Sequence, residues 1–372
     1  MKVVFCGKML HYSFKFSHDE LEPDPEISVI QCASEDVKEE LADADVAIPL
    51  LTALTAEIIQ NAPKLKVILQ FGVGVEGIDI KTATKLGIFV SNIPSAETGN
   101  ATSCAEMAIF LSMALLRNIN GMATSIATKQ LGVPLGQMLY GKNVLVIGFG
   151  NIAKDLITRL SVFGVAGITA LRRSNTWSSS NSRNTLRVNG QQEHSTNFSK
   201  EFEEQENDSK AMELTRHAES LLVDKGTWPQ DSSRLASTAD IIILTCMQDS
   251  TNRGMINTEF IENCKTGVRI VNVARGGLLN YEAVLAGLNS GKIGGCGLDV
   301  QFWEPFDPED PIATHPNVYL TPHTAGVTET SYRTMAKIVA EEVRRVFRGE
   351  RPTVQLNTEE EMKNEGAVPR LR

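Results

Sequence analysis

The sequence predicts an α/β protein with two doubly wound parallel-sheet domains. Two observations carry this. Short β-branched apolar runs alternate with helix-like segments through residues 1–100 and again after 235, the βαβ rhythm that gives a parallel sheet covered on both faces. Between them, Gly141-Lys-Asn-Val-Leu-Val-Ile-Gly-Phe-Gly-Asn-Ile-Ala153 runs from an apolar strand through a tight glycine turn into an amphipathic segment. A length of 372 residues with 42% apolar content suits two domains with sizeable cores.

In chain order, Lys2–Cys6, Ile27–Gln31, Val46–Pro49, Val67–Gln70 and Ile88–Ser91 read as strands, with helices at Ser34–Ala42, Thr55–Asn61 and Asp79–Leu86. Within Gln70-Phe-Gly-Val-Gly-Val-Glu-Gly-Ile-Asp79, three glycines permit outward-facing backbone N–H groups and Asp79 can cap the next helix. This is either a plain strand-to-helix turn or a cradle for a small carboxylate. Thr98–Glu106 opens a long helix to about Arg117, and a second piece covers Met122–Lys129. The long helix fits a domain bridge, a dimer contact or a core helix.

Asn143–Ile147 reads as a buried strand and Ile152–Phe163 as the helix that follows. Gly148 permits the turn, Gly150 allows close approach of a phosphate, and Ala153 is small enough for helix and strand to pack. Asn151 and Ile152 begin a helix whose N-terminus favours a pyrophosphate. The context of strand, glycine turn and helix makes this a dinucleotide site. Gly167–Leu171 is the next strand. A carboxylate usually ends it and takes the ribose hydroxyls, but here Arg172, Arg173 and Ser174 follow. A guanidinium can pair with a 2′-phosphate, which favours NADP(H) over NAD(H) without excluding a solvated surface pair.

Residues 175–230 interrupt the rhythm. Polar residues dominate and no period is sustained through Asn184–Asn207, so a mostly disordered insertion is expected, with a short helix near Ala211–Leu222. A tolerated surface loop and a partner-binding element are both compatible with it. The α/β pattern resumes with strands Ile241–Thr245, Val268–Asn272, Ile293–Leu298 and Tyr319–Thr321, and helices Thr258–Asn263, Tyr281–Asn289 and Thr328–Phe347. The tail from Arg351 reads as polar and loose.

Three polar residues fall at the ends of the late strands, where open α/β sheets bind ligands: Arg275, Glu304 and His323. Reduction of a ketone by hydride needs a proton donor for the developing alkoxide and a cation for the neighbouring carboxylate. A histidine beside a carboxylate suits the first need and an arginine the second.

The net charge of −9 and the lack of a long basic run exclude nucleic acid as the main partner. No apolar run is long enough to span a membrane. Cys6, Cys32, Cys104, Cys246, Cys264 and Cys296 are scattered without a C-x-x-C pair, which reads as reduced core thiols, and no metal ligation is assigned. The first strand is followed by Asp19, Glu20, Glu22, Asp24 and Glu26, too acidic for a transit peptide, so a cytoplasmic location is expected.

The chain resembles the D-isomer-specific 2-hydroxyacid dehydrogenase family, most closely its plant phosphoglycerate-dehydrogenase-like branch. The resemblance rests on Gly72–Asp79, Thr98–Glu106, Val144–Ala153, Val271-Asn-Val-Ala-Arg-Gly-Gly-Leu-Leu-Asn280, Gly297-Leu-Asp-Val300 with Glu304-Pro305, and Asn317–Gly326. It implies a Rossmann nucleotide domain, 118–323, inserted into a flavodoxin-like substrate domain formed by 1–117 and a return helix in 324–350, with 351–372 as tail. It also implies a homodimer, an active site in the cleft between domains, and a small 2-oxo or 2-hydroxy acid substrate of the hydroxypyruvate, glyoxylate or 3-phosphoglycerate type. Arg275 would orient the substrate, His323 would be the acid/base and Glu304 would tune it. Asp299 would lie near the nicotinamide carboxamide, and Val73 and Gly74 would offer N–H groups to the substrate carboxylate. Val273, Ala274, Arg275, His323 and Gly326 would join Gly148, Gly150, Asn151, Ile152 and Arg172 in holding the cofactor.

The sequence departs from that pattern at Arg172, where the family usually has an acidic residue. No basic residue lies within Gln70–Ile80 to meet a substrate phosphate. With the chain ending at Arg372, the C-terminal regulatory domain of longer phosphoglycerate dehydrogenases, and feedback control by serine through it, are not expected. Some relatives act as cofactor-sensing corepressors, and a catalytically weak binding protein is the alternative reading.

Overall fold

A computed structural model describes residues 1–96, 98–174, 177 and 212–371. The aperiodic stretch Asn184–Asn207, expected to be disordered, lies outside these residues. The chain divides into two compact units, one of Met1–Ser103 with Gly326–Arg372 and one of Cys104–Ala325.

The first unit has a five-stranded parallel sheet of β1 (Lys2–Cys6), β2 (Ser28–Cys32), β3 (Val46–Ile48), β4 (Val67–Gln70) and β5 (Phe89–Asn92), in the order β2-β1-β3-β4-β5. Alternate residues feed two apolar layers. Val3, Phe5, Val46, Ile48, Val67, Leu69 and Phe89 face one, and Val4, Cys6, Ala47, Ile68 and Val90 the other. This two-sided burial is why the strands read as continuous apolar runs. The first layer is covered by the helix Glu329–Phe347 through Tyr332, Met335, Val339, Val343 and Val346, at the three-and-four spacing of one helical face.

That sheet carries a helix the periodicity did not predict, His11–Leu21. Its aromatics Tyr12, Phe14 and Phe16 alternate as in a strand, and tertiary contacts override the pattern: Phe14 packs edge-on against Phe5 and Arg333 lies 4.4 Å over the ring of Phe16. The tail from Arg351, expected to be loose, is ordered and packed. Its polar groups satisfy the exposed edge of β5. Asn357 accepts from the Val90 N–H at 2.7 Å and donates to the Ile88 carbonyl, and the Leu356 N–H donates to the Val90 carbonyl. Arg370 donates to the carbonyls of Ala62 and Leu65. A capping box of Thr358 and Glu361 starts the helix Glu359–Asn364, which buries Met362.

The second unit has a seven-stranded parallel sheet. Its strands are β6 (Asn143–Ile147), β7 (Gly167–Arg172), β8 (Asp224–Thr227), β9 (Ile241–Leu244), β10 (Val268–Asn272), β11 (Ile293–Leu298) and β12 (Val318–Leu320), in the order β12-β11-β10-β9-β6-β7-β8. The chain enters at β6, moves one way to β7 and β8, then crosses to β9 on the other side of β6. That reversal leaves a crevice at the carboxyl ends of β6 and β9, where doubly wound sheets bind ligands. Strand β8 corrects the expected insertion, which was bounded at 230. Asp-Lys-Gly-Thr pairs parallel with β7 along Thr169–Arg172. It is a short polar edge strand, without the apolar run that marks a central one. A helical stretch over 212–220 precedes it. The long helix Asn100–Arg117 buries Ala105, Ala108 and Leu111 in the apolar layer shared with Val144 and Val146.

Among the described residues, no helix is long and apolar enough to cross a membrane. All six cysteines are free thiols.

Candidate functional site

At the end of β6 the glycines differ in what they do. Gly148 has φ +113, and a Cβ there would lie 2.7 Å from the Cys246 nitrogen and 2.8 Å from Thr245 Oγ1. The fold itself therefore demands glycine. A Cβ on Gly150 would meet nothing within 4 Å. Gly150 is the N-cap of the helix Asn151–Leu160 and supplies no side-chain cap, so the open space fronts the helix N-terminus begun by Asn151 and Ile152. The first N–H groups of a helix have no partner within it and carry its positive dipole end. Open space at Gly150, at the positive end of a helix, fits the pyrophosphate of a dinucleotide. Ala153 is fully buried against the sheet.

The end of β7 is basic. The Arg172 guanidinium lies 5.2 Å over the ring of Trp177 and 5.9 Å from that of Phe149, and these two rings meet edge-on. Burial lowers the pKa of Lys154, and the positive charge of Arg172 lowers it further, against a smaller pull from Glu219. Arg173 Nη2 lies 2.5 Å from Asp249 Oδ2, across from the loop after β9.

At the far side, β10 ends in Asn272 and the chain turns through Val273 and Ala274 to Arg275. Asn272 shapes that turn, accepting from the Ala274 N–H at 3.0 Å and donating to the Arg275 carbonyl at 2.8 Å. Arg275 Nη1 donates to the Ala274 carbonyl. Gly276 is flush with the neighbouring loop, and a Cβ would fall 1.7 Å from the Gln301 carbonyl oxygen.

His323 and Glu304 are brought together. His323 Nδ1 lies 2.8 Å from Glu304 Oε2, with both side chains a little over a quarter exposed. The other carboxylate oxygen, Oε1, accepts from the Gln301 N–H at 3.0 Å. Burial pushes the Glu304 carboxyl up. The hydrogen bond and charge of His323, the Gln301 N–H and the charge of Arg275 outweigh it, holding Glu304 below the ordinary carboxylate range. Arg275 is thus close enough for its charge to act on the same carboxylate. His323 itself sits at φ +55, a left-handed conformation that a residue with a side chain adopts rarely.

Asp299 fixes that conformation. The residue is 1% exposed, and its carboxylate accepts from Thr321 Oγ1 at 2.6 Å and from the N–H groups of Thr324 and Ala325. Asp299 is therefore first of all the scaffold of the turn that carries His323.

Val73 and Gly74 lie in the first unit, in the turn after β4, where Asn92 donates to the Val73 carbonyl at 2.8 Å. Gly326 also belongs to that unit, and a Cβ on it would lie 2.4 Å from Asn100 Nδ2. Reading by residue type missed Asn272, Gln301 and Asp249. Asn272 and Gln301 stand beside Arg275 and Glu304 at strand ends, which is the one signal that would have drawn attention to them.

A doubly wound sheet with a glycine-lined helix start at its switch point defines a dinucleotide-binding α/β protein. The chain belongs to the D-isomer specific 2-hydroxyacid dehydrogenases: the profile of that family's NAD binding domain matches residues 109–197 and 202–325, which supports NAD(H) as cofactor. The chain is 33% identical over 320 residues to the D-3-phosphoglycerate dehydrogenase of Methanocaldococcus jannaschii, covering 85% of this chain and 52% of that protein. It thus spans about half the length of that relative. It is 27% identical to the glyoxylate reductase of Korarchaeum cryptofilum, covering 94% and 91%. The crystal structure of a glyoxylate reductase from Paecilomyes thermophila has the same fold, with TM-score 0.71, 22% identity, and 96% of this chain and 98% of that chain covered.

Proposed function

We propose that the chain is an oxidoreductase interconverting a small 2-oxo acid and its D-2-hydroxy acid. The observation that carries the reading is the 2.8 Å contact of His323 Nδ1 with Glu304 Oε2, on a carboxylate that also feels Arg275. With Nδ1 turned to Glu304, the other ring nitrogen of His323 gives a proton to the carbonyl oxygen in reduction, or takes one from the hydroxyl in oxidation. Glu304 holds the ring in place through Nδ1. Arg275 grips the carboxylate and carbonyl oxygens of the same small acid. Gly148, Gly150, Asn151, Ile152, Val273 and Ala274 would hold a nicotinamide dinucleotide, which would supply or accept the hydride when bound.

The cofactor is inferred to be NAD(H) or NADP(H), and the end of β7 favours NADP(H). Residues 172–174 at the end of β7 include no carboxylate, while Arg172 and Lys154 lie close enough there for their charges to act on each other. Since no Lys or Arg lies within Gln70–Ile80, glyoxylate or hydroxypyruvate is favoured over a phosphorylated acid. Turnover of a 2-oxo acid panel with NADPH and NADH tests this. His323→Ala is expected to lose at least about a hundredfold in rate, and a protein that binds cofactor but turns over none of the panel contradicts the reading.

A homodimer is the inferred assembly. Ile126, Leu131, Val133, Leu135, Met138 and Tyr140 all project into solvent, Leu131 and Leu135 almost wholly. Apolar side chains exposed this closely along the chain support an interaction site there. Light scattering should give twice the chain mass, and Leu131→Asp with Leu135→Asp should give one.

A further inference from the structure

We propose that Asp249 is a determinant of cofactor specificity: by holding the guanidinium of Arg173 it withholds that cation from a 2′-phosphate at the end of β7. This rests on reading the end of β7 as the adenosine-ribose subsite. Strand β6 lies between β7 and β9. Arg173 leaves the end of β7 and Asp249 lies in the loop after β9, so their contact, Nη2 to Oδ2 at 2.5 Å, reaches over the carboxyl end of β6, where the Gly148-Phe149-Gly150 turn lies.

The carboxylate is held in place before it meets Arg173. Asp249 Oδ1 accepts from the Thr251 N–H at 2.7 Å and from Thr251 Oγ1 at 2.6 Å. The Asp249 N–H donates to Asn252 Oδ1 at 2.8 Å. Buried Asn252 in turn donates to the Met247 carbonyl. One oxygen is therefore fixed by its own loop while the other points to Arg173. Thr251, through its hydroxyl and N–H, and then Arg173 hold the Asp249 carboxyl down to about 2, so it stays ionised at any working pH.

A family carboxylate at the end of β7 would repel a 2′-phosphate directly. Here the negative charge comes from another strand and acts by occupying one of two adjacent guanidinium groups. Discrimination between 2′-phosphorylated and unphosphorylated dinucleotides then depends on the Arg173–Asp249 pair together with Arg172. An ion pair this exposed adds little to stability, so its removal is expected to register in ligand choice and not in folding.

The test is calorimetric titration of the full chain with 2′,5′-ADP and with 5′-ADP, which reads the subsite without turnover. Asp249→Asn should bind 2′,5′-ADP about three- to tenfold more tightly with 5′-ADP unchanged, and adding Arg173→Gln should cancel the gain. Asp249→Ser should behave as Asp249→Asn, and thermal melts of both should match the parent. The proposal is overturned if Asp249→Asn leaves 2′,5′-ADP affinity unaltered, strengthens both ligands equally, or gains affinity that survives Arg173→Gln. The NADP(H) reading fails separately, if the parent prefers 5′-ADP and Arg172→Ala leaves 2′,5′-ADP binding unchanged. A gain in Asp249→Asn that needs Arg173 would still uphold the role of Asp249.

Discussion

The backbone N–H of His323 donates to the carbonyl oxygen of Asp299 at 2.8 Å, while the Asp299 carboxylate accepts from Thr324 and Ala325 just beyond it. One buried residue at the end of β11 thus grips the turn on both sides of the histidine. The ring of His323 is aimed by a backbone set rigidly against the sheet, and Glu304, on the loop after the same strand, meets it there.

Replacing Glu304 with Gln removes the negative charge beside the His323 ring while keeping the shape. The expected result is a loss of about a hundredfold or more in kcat/KM with little change in substrate binding. The sign of the pH effect follows from the lowered pKa of Glu304. Its charged contact is fully present above the ordinary carboxylate pKa and is lost as pH falls through the depressed value. The parent should therefore keep this contribution through the ordinary carboxylate range, and the kcat/KM profile of Glu304→Gln should lack the acid limb that Glu304 sets.

The two glycines of the β6 turn should respond oppositely to alanine. Gly148→Ala forces a side chain into a positive-φ position and into the backbone of β9's end, at a cost of roughly 1–3 kcal/mol in urea unfolding. Gly150→Ala enters open space and should leave stability within about 0.5 kcal/mol. It should nonetheless weaken dinucleotide binding, read by quenching of protein fluorescence. Equal affinity in Gly150→Ala and parent would remove the pyrophosphate from this turn.

Asn357→Ala strips the partners from the Val90 N–H and the Ile88 carbonyl in a buried setting. It should destabilise the protein by about 2–3 kcal/mol, measured as a shift in urea midpoint at unchanged slope.

Much of this was legible in the sequence because central parallel strands are buried on both faces and so carry their own signature. Thr258–Asn263, Val268–Asn272 and Ile293–Leu298 have the expected bounds. Arg275, Glu304 and His323 could be singled out because chemistry gathers at strand ends. What was not legible depends on partners distant in sequence. Strand β8 exists because β7 offers it an edge, the helix His11–Leu21 because aromatics spaced like a strand find Phe5 and Arg333, and the ordered tail because β5 has unpaired groups. Asp249 escaped notice because nothing beside it in the chain hints that it meets Arg173.

The first unit is assembled from both ends of the chain, with Glu329–Phe347 lying over Val3, Phe5 and their neighbours. During synthesis on the ribosome that apolar layer has Phe14 and Leu21 against it early but lacks the Glu329–Phe347 cover until more than three hundred residues have been made, whereas the middle unit has its whole sequence available sooner. Vectorial folding should therefore finish with the docking of Glu329–Phe347 on the first sheet.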